Sequence, residues 1–334
     1  MSIDLKTLLV VCGSVGLGAC TLEATDAPPD AELRKARQEL SSTIYYAMSL
    51  NVRIPEDSGE RHWDNREPHL AKTIAYWRPA VIALQELRSS THSSLHGAVE
   101  SETGIDYFWY WVDRGDGERI AIWVDRASFY IEAYGYWNVS NSARDDSCGL
   151  FDDEDSKNRP IQYVRAIDRF NGRRTYFFNT HFPSKNSCER HGMASIFADK
   201  ISGRSDQAAR VLAMGDFNDG YESSGRLNGS TERLLTEAGL LSTYAEAHYP
   251  MSSYDYLTVN GWNKTSRRGR MIDHIMVNEI GATIYGYVDR NMFTSAGLRV
   301  WCSYVDSSGY CGSYRASTLE LYSDHWAVAA AMYR

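Results

Sequence analysis

The chain has no surplus of positive charge. Its 35 lysines and arginines are outnumbered by 43 aspartates and glutamates, a net charge of −8, so the global basic footprint of a nucleic-acid coat protein is missing. This excludes tight, sequence-independent coating of DNA. It does not exclude an enzyme that handles phosphates locally, through a metal and a few arginines. The N-terminal apolar run, Leu8 to Ala19, is too brief to span a bilayer. Cysteine is sparse, 6 in 334 residues, and no two form a C-x-x-C pair, which argues against a zinc site. Past the N-terminal region there is no long linker, low-complexity block or internal repeat, so one catalytic domain is the economical expectation.

What the N-terminus does have is a signal-like h-region ending Leu17-Gly18-Ala19-Cys20, small residues leading into a cysteine. It resembles a bacterial lipoprotein signal, in which Cys20 carries the lipid, although Lys6 alone supplies positive charge ahead of the run and Asp4 offsets it. The alternative is a plain secretory signal. Residues 1–20 are therefore expected to be a signal, 21–42 a polar, proline-bearing tether, and 43–334 the domain. The expected location is outside the cytoplasm, as a cell-envelope lipoprotein or a secreted protein. Removing Cys12 and Cys20 leaves Cys148, Cys188, Cys302 and Cys311, enough for two bridges in an oxidising compartment. Cys302 and Cys311 enclose a short aromatic loop and form the easier pair, leaving Cys148 with Cys188.

Within the domain, Val211 to Met214 reads as a buried strand that stops at Gly215 and then presents Asp216 and Asn218. Residues i and i+2 of an extended segment share a face, so both reach one ligand while Phe217 turns into the core. Other segments read similarly. Strands are expected at Ile44 to Val52, Val81 to Leu84, Tyr107 to Trp111, Ile120 to Val124, Ile161 to Ile167, Thr175 to Asn179, Ile272 to Val277 and Trp326 to Ala330. Helices are expected at Trp63 to Trp77, with Pro79 as the stop, at Met193 to Ile201 and at Glu232 to Ala238. Polar residues of catalytic type recur at the strand ends: Asn51, Glu86, His181, Asp216 with Asn218, Asp273, and Asp324 with His325. Any one of them is more often a turn or cap residue. Together they point to a single cleft.

Leu84-Gln85-Glu86, Met214-Gly215-Asp216-Phe217-Asn218 and Ser323-Asp324-His325 resemble, in order and spacing, the motifs of the endonuclease/exonuclease/phosphatase superfamily, and within it the deoxyribonuclease I branch. The resemblance covers nearly all of residues 44–334. It implies an α/β (α+β) fold, a four-layer sandwich of two mixed β-sheets flanked by helices, with the site at one edge. It also implies a division of labour. Glu86 would be the main metal ligand, with Asn51 and Asp324 near the same ion. Asp216 would orient or deprotonate the attacking water, and Asn218 would hydrogen-bond the phosphate. His325 would pair with Asp273, and His181 with Glu118. Arg53, Arg88 and Arg159 would line a phosphate track, a task suited to the planar guanidinium. Mg²⁺ is the implied cofactor, with Mn²⁺ as a substitute and room for a structural Ca²⁺.

Some residues depart from that branch. Asp116-Gly117 stands where deoxyribonuclease I has a groove-inserting tyrosine, and the segment Asp145 to Asp155 is acidic. Arg267-Arg268-Gly269-Arg270 is the dense basic cluster, expected to touch a polyanion. Asn51-Val52-Arg53 followed by Trp63-Asp64-Asn65-Arg66 also resembles bacterial superfamily members of uncertain substrate. The first expectation is thus an exported monomeric phosphodiesterase acting on DNA as an endonuclease. The second is a sphingomyelinase-like or inositol-phosphatase-like phosphoesterase. A non-catalytic surface or toxin-like binding module ranks last, because the catalytic set is intact.

Overall fold

Side chains alternate between the two faces of a strand. Here most central strands are apolar on both faces, which requires cover on both sides. Val81–Leu87, for example, is buried at every position but Glu86. The computed structural model describes residues 43–55, 58–139, 159–221, 229–243, 258, 260–262, 270–279, 282–289, 291–294, 296, 299–301, 310–311, 313–315 and 319–334. The expected signal and tether, with Cys20, lie outside the described residues, as do the acidic segment with Cys148, Arg267, Arg268 and Cys302. Ser41–Arg334 forms one compact unit.

In chain order the elements are β1 (Ile44–Asn51), α1 (Trp63–Trp77), β2 (Val81–Leu87), α2 (Ser89–Thr103), β3 (Tyr107–Asp113), β4 (Arg119–Asp125), β5 (Phe129–Val139), β6 (Arg159–Asp168) and β7 (Arg174–His181). They continue with α3 (Ser187–Ser202), β8 (Arg210–Tyr221), α4 (Gly229–Glu237), β9 (Leu241–Ser242), β10 (Met271–Val277) and β11 (Thr283–Asp289). Two short ribbons follow, β12 (Asn291–Phe293) with β13 (Arg299–Trp301) and β14 (Tyr310–Cys311) with β15 (Tyr314–Arg315), before β16 (Ala327–Tyr333) closes the chain.

Two six-stranded sheets result, ordered β11-β16-β1-β2-β4-β3 and β5-β6-β7-β8-β10-β9. Each is mixed: β1–β2 and β7–β8 are parallel and the remaining neighbours antiparallel. Three apolar layers hold the stack together. Ala47, Val81, Ala83 and Val328 of the first sheet meet Phe177, Leu212, Met214 and Ile275 of the second between the sheets. On the far side of the first sheet, Met48, Leu50, Ile82 and Leu84 pack with Leu70, Ile74, Leu95 and Val99 of α1 and α2. On the far side of the second, Phe178, Val211, Ala213 and Phe217 pack with Met193, Phe197 and Leu234 of α3 and α4. The expected four-layer sandwich is the observed one, and Phe217 points into the core as anticipated.

Several elements differ from expectation, β8 and α2 most clearly. β8 does not stop at Gly215 but runs through Asp216 and Asn218 to Tyr221. β10 continues to pair with it there, with a register shift between Met271 and Asp273. And α2 carries almost no sequence signature, being rich in serine, threonine and histidine and burying only Thr91, His92, Leu95, Val99 and Thr103. Cys188 and Cys311 are each disulfide-bonded; the cysteines expected opposite them are among those not described.

Candidate active site

The rows of side chains facing the interior between the sheets turn polar together at one end of the sandwich. Along β8 the row runs Leu212, Met214, Asp216; along β7 it runs Phe177, Asn179, His181; along β10, read backwards, Val277, Ile275, Asp273; along β1, Ala47, Ser49, Asn51. Period-two alternation therefore carries these four strands' polar residues into one place. Beneath them lies a polar floor that joins the sheets. Gln85 Nε2 donates to Asn179 Oδ1 at 2.8 Å, and Asn179 Nδ2 donates to the carbonyls of Leu84 and Ala121 at 3.0 and 2.9 Å.

Glu86 has the wrong parity for this cleft, since Leu84 faces α1 and α2. A bulge corrects it: β2 pairs Leu84 with Ala121 but Leu87 with Arg119, one extra residue on β2, and Glu86 takes a left-handed φ of 61°. Bulges of this kind re-aim side chains beside active sites. Arg53 and Asn218 share the left-handed region, at φ 61° and 49°, a conformation that costs non-glycine residues about 1–3 kcal/mol and clusters at functional sites. Gly215 is a different case. A Cβ there would lie 2.2 Å from the Thr180 carbonyl oxygen, so only glycine lets β8 pass β7 just before Asp216.

Asp216 Oδ2 is the hub. Asn51 Nδ2 donates to it at 3.0 Å, His181 Nε2 lies 3.6 Å away and His325 Nδ1 3.8 Å. Its other oxygen accepts the Asn218 backbone N–H at 2.8 Å. Asn51 Nδ2 also donates to Glu86 Oε1 at 2.8 Å, while Glu86 Oε2 accepts the Ile54 N–H at 3.1 Å. His325 Nδ1 is bonded to Asp273 Oδ2 at 2.9 Å. His181 Nδ1 stands 3.4 Å from Glu118 Oε1, an ion-pair distance. Ser323 Oγ donates to the Asn51 carbonyl at 2.8 Å and accepts the His325 N–H at 3.2 Å, bringing Asp324 and His325 to β1.

The electrostatics divide the groups. Burial alone would push the His325 pKa down, but Asp273 first, then Asp216 and Asp324, reverse this and hold it well above the ordinary value. The carboxylates around His325 therefore favour its charged form. Glu118 shows the complementary effect: burial pushes its pKa up, and the combined pull of His181, Arg114 and Arg159 brings it down to about 2. Asp324 is raised, by burial and then by neighbouring Glu86, against the opposing pull of His325 and Arg53.

The expected phosphate-track arginines occupy three different settings. The Arg53 guanidinium lies 4.0 Å from Glu86 and 3.8 Å from Asp324, bridging two expected metal ligands at the cleft mouth. Arg88 donates to the Asp116 carbonyl at 2.6 Å and packs against Gly117, so it braces the β3–β4 turn that carries Glu118. Arg159 is buried, with Nη1 3.4 Å from the His181 carbonyl. Asn218 Nδ2 donates to the Phe182 carbonyl at 2.8 Å, which fixes its carboxamide. Arg270 is exposed. Sequence reasoning missed the floor residue Asn179 and missed Arg114, which pairs with Glu118. Extending the inner-facing row of β7 by parity would have found Asn179.

The donor set fits a divalent cation. One ligand atom each from Glu86, His181 and Asp216 lie within 4.8 Å of one another, and Asp216, Asp273 and His325 form a second such group. Carboxylate and carboxamide oxygens dominate the Glu86 side, a hard-ligand environment. The family resemblance would add Asn51, at the end of β1, and Asp324, on the segment that Ser323 ties to it, to Glu86 at the ion.

A search of curated proteins finds no match to this sequence. Solved structures do resemble it. The mannosyl-6-phosphatase of Bacteroides thetaiotaomicron VPI-5482 superposes with a TM-score of 0.65 at 19% identity, over 86% of this chain and 98% of that one. An endonuclease/exonuclease/phosphatase family protein from Bacteroides thetaiotaomicron gives 0.66 at 20%, over 87% and 98%. TDP2 of D. rerio, complexed with a single-strand DNA product, gives 0.57 at 16%, over 86% and 98%. At these identities the likeness speaks for the fold. The profile of the Endonuclease/Exonuclease/phosphatase family, whose members hydrolyse phosphoester bonds, matches residues 48–325. This chain belongs to that family.

Proposed function

We propose that the protein is a Mg²⁺-dependent phosphodiesterase that cleaves DNA. The observation that carries this reading is the convergence of Asn51, His181 and His325 on one oxygen of Asp216. A carboxylate so placed can orient a water and take its proton as the oxygen attacks phosphorus. A bound divalent cation would stabilise charge on the phosphoryl oxygens. His325, held by Asp273 through Nδ1, presents its other nitrogen to the ester and donates a proton to the departing oxygen as the P–O bond breaks. Glu118 holds His181 on the opposite side of Asp216, and Asn218 keeps one amide hydrogen for a phosphoryl oxygen.

A specific observation favours a second reading, a phosphoesterase for a small phosphorylated sugar or polyol or a phospholipid headgroup. Arg88 and Arg159 contact protein carbonyls, which among the described residues leaves Arg53 as the arginine beside Glu86 and Asp324, enough for one phosphate. The mannosyl-6-phosphatase resemblance points the same way. Plasmid nicking separates the two. Nicking that requires Mg²⁺, stops with EDTA and is lost in Asp216→Ala and His325→Ala supports the DNA reading. Protein inert on DNA but active on sphingomyelin or an inositol phosphate would falsify it in favour of the second. We further propose export, with lipid on Cys20; a native N-terminus well beyond Cys20 by mass spectrometry overturns the lipid attachment.

A further inference from the structure

Arg66 sits in α1 with no exposed surface, its guanidinium carbon 5.3 and 5.5 Å from the ring centres of Trp63 and Trp262. Its nitrogens reach backbone carbonyls on three sides. Nε donates to Arg61 at 2.6 Å; Nη1 to Val52 and Tyr322 at 2.5 and 3.3 Å; Nη2 to Arg53 and Ile54 at 3.2 and 3.1 Å.

The Val52 and Arg53 carbonyls belong to consecutive peptide units whose opposite ends hold site side chains. The unit between Val52 and Arg53 gives its oxygen to Arg66 and its N–H to Asn51 Oδ1 at 2.9 Å. The unit between Arg53 and Ile54 gives its oxygen to Arg66 and its N–H to Glu86 Oε2 at 3.1 Å. A planar trans peptide points its C=O and N–H in opposite directions. One guanidinium behind the loop therefore aims two N–H groups in front of it. Aligning successive N–H groups in this way goes with the left-handed Arg53 backbone, a conformation that persists only when its surroundings over-determine it. A cation on each oxygen also polarises the peptide and strengthens its N–H as a donor. Through Tyr322 the same guanidinium grips the loop carrying Asp324 and His325.

We propose that Arg66 is a positioning residue for the divalent-cation site: acting through these two peptide units, it orients the Asn51 carboxamide and the Glu86 carboxylate toward the ion. This rests on the reading of the Glu86 cleft as the metal site. Partners that orient metal ligands are worth roughly 10–100-fold in metal affinity.

The test is Mn²⁺ binding to the full chain, read from the electron paramagnetic resonance of the free ion, with thermal unfolding measured in parallel. Arg66→Lys keeps the charge but loses the fork, and is expected to bind Mn²⁺ roughly 10-fold more weakly, with Arg66→Met weaker still. Ile74→Ala, elsewhere on α1, should unfold at lower temperature yet bind Mn²⁺ as wild type does. Arg66→Lys with wild-type Mn²⁺ affinity overturns the proposal and leaves the site reading standing. Glu86→Gln with wild-type Mn²⁺ affinity overturns the site reading itself. Should the Arg66 variants not fold, amide hydrogen exchange in the wild type decides: Mg²⁺ is expected to slow exchange at Arg53 and Ile54, and unchanged exchange at both overturns the proposal.

Discussion

His325 and His274 are both buried, and both lie beside Asp273, one across a hydrogen bond and the other one residue along the chain. Their pKa values shift in opposite directions. His325 faces the cleft, where Asp273, Asp216 and Asp324 overcome burial and raise its pKa. His274 falls on the other face of β10, stacked on Phe217 at 5.5 Å, with Nε2 3.2 Å from the Asp219 carbonyl. Burial dominates there and lowers its pKa to about 4. One step of strand alternation thus separates the proposed proton donor from a packing histidine whose pKa burial lowers. Burial by itself lowers a histidine's pKa, and it is the arrangement of carboxylates on the inward face that reverses this for His325.

Substitutions can break this contrast. The largest effect is expected from Asp216→Asn, which removes the hub: turnover should fall by roughly 10³ or more, whereas His274→Phe should leave turnover within a few-fold at temperatures where it stays folded. Asp273→Asn comes next. It removes the group that most raises the His325 pKa, so turnover should drop roughly 10²-fold. The sign on the pH axis follows. In the proposed mechanism the active form is protonated and is lost as pH rises through the folded-state pKa, so the alkaline limb of the pH–rate profile should move to lower pH in Asp273→Asn. A limb that stays in place would remove His325 as the donor. Glu118→Gln should cost less, roughly 10-fold, by loosening His181.

The inert histidines have their own signature. His274 and His92, the latter accepting a hydrogen bond from Trp123 Nε1 at 3.0 Å, both drop to about 4 through burial. A histidine held neutral in the fold is protonated more readily when unfolded. Its stabilising contribution is therefore complete above about pH 6.5 and is lost as pH falls from there toward 4. At about 1.4 kcal/mol per pH unit this is on the order of 3 kcal/mol for each group. Urea unfolding at pH 7 and pH 4.5 should show the loss, and His92→Phe should lose less between those two values than wild type does.

The legible part of this molecule was whatever period-two alternation and local motifs encode. Asp216, His181, Asp273 and Asn51 lie at the polar ends of apolar rows, and such rows can be read from one strand at a time. Glu86 was found by motif, but its aim depends on a bulge whose extra residue shows only against β4. The β8 boundary was misplaced because glycine and asparagine signal a turn locally, while pairing with β10 extends the strand through them. The arginines were the least legible. Arg88, Arg159 and Arg66 look alike in sequence, and their tasks are set by carbonyls up to 256 residues away.

The most direct test of the central claim is hydrolysis followed by phosphorus NMR across DNA, RNA, sphingomyelin and inositol phosphates, with Mg²⁺ or with EDTA, for wild type and Asp216→Asn. The expected result is cleavage of at least one phosphoester that needs Mg²⁺ and disappears with the Asp216 carboxylate. Hydrolysis that persists in EDTA, or at equal rate in Asp216→Asn, would contradict it.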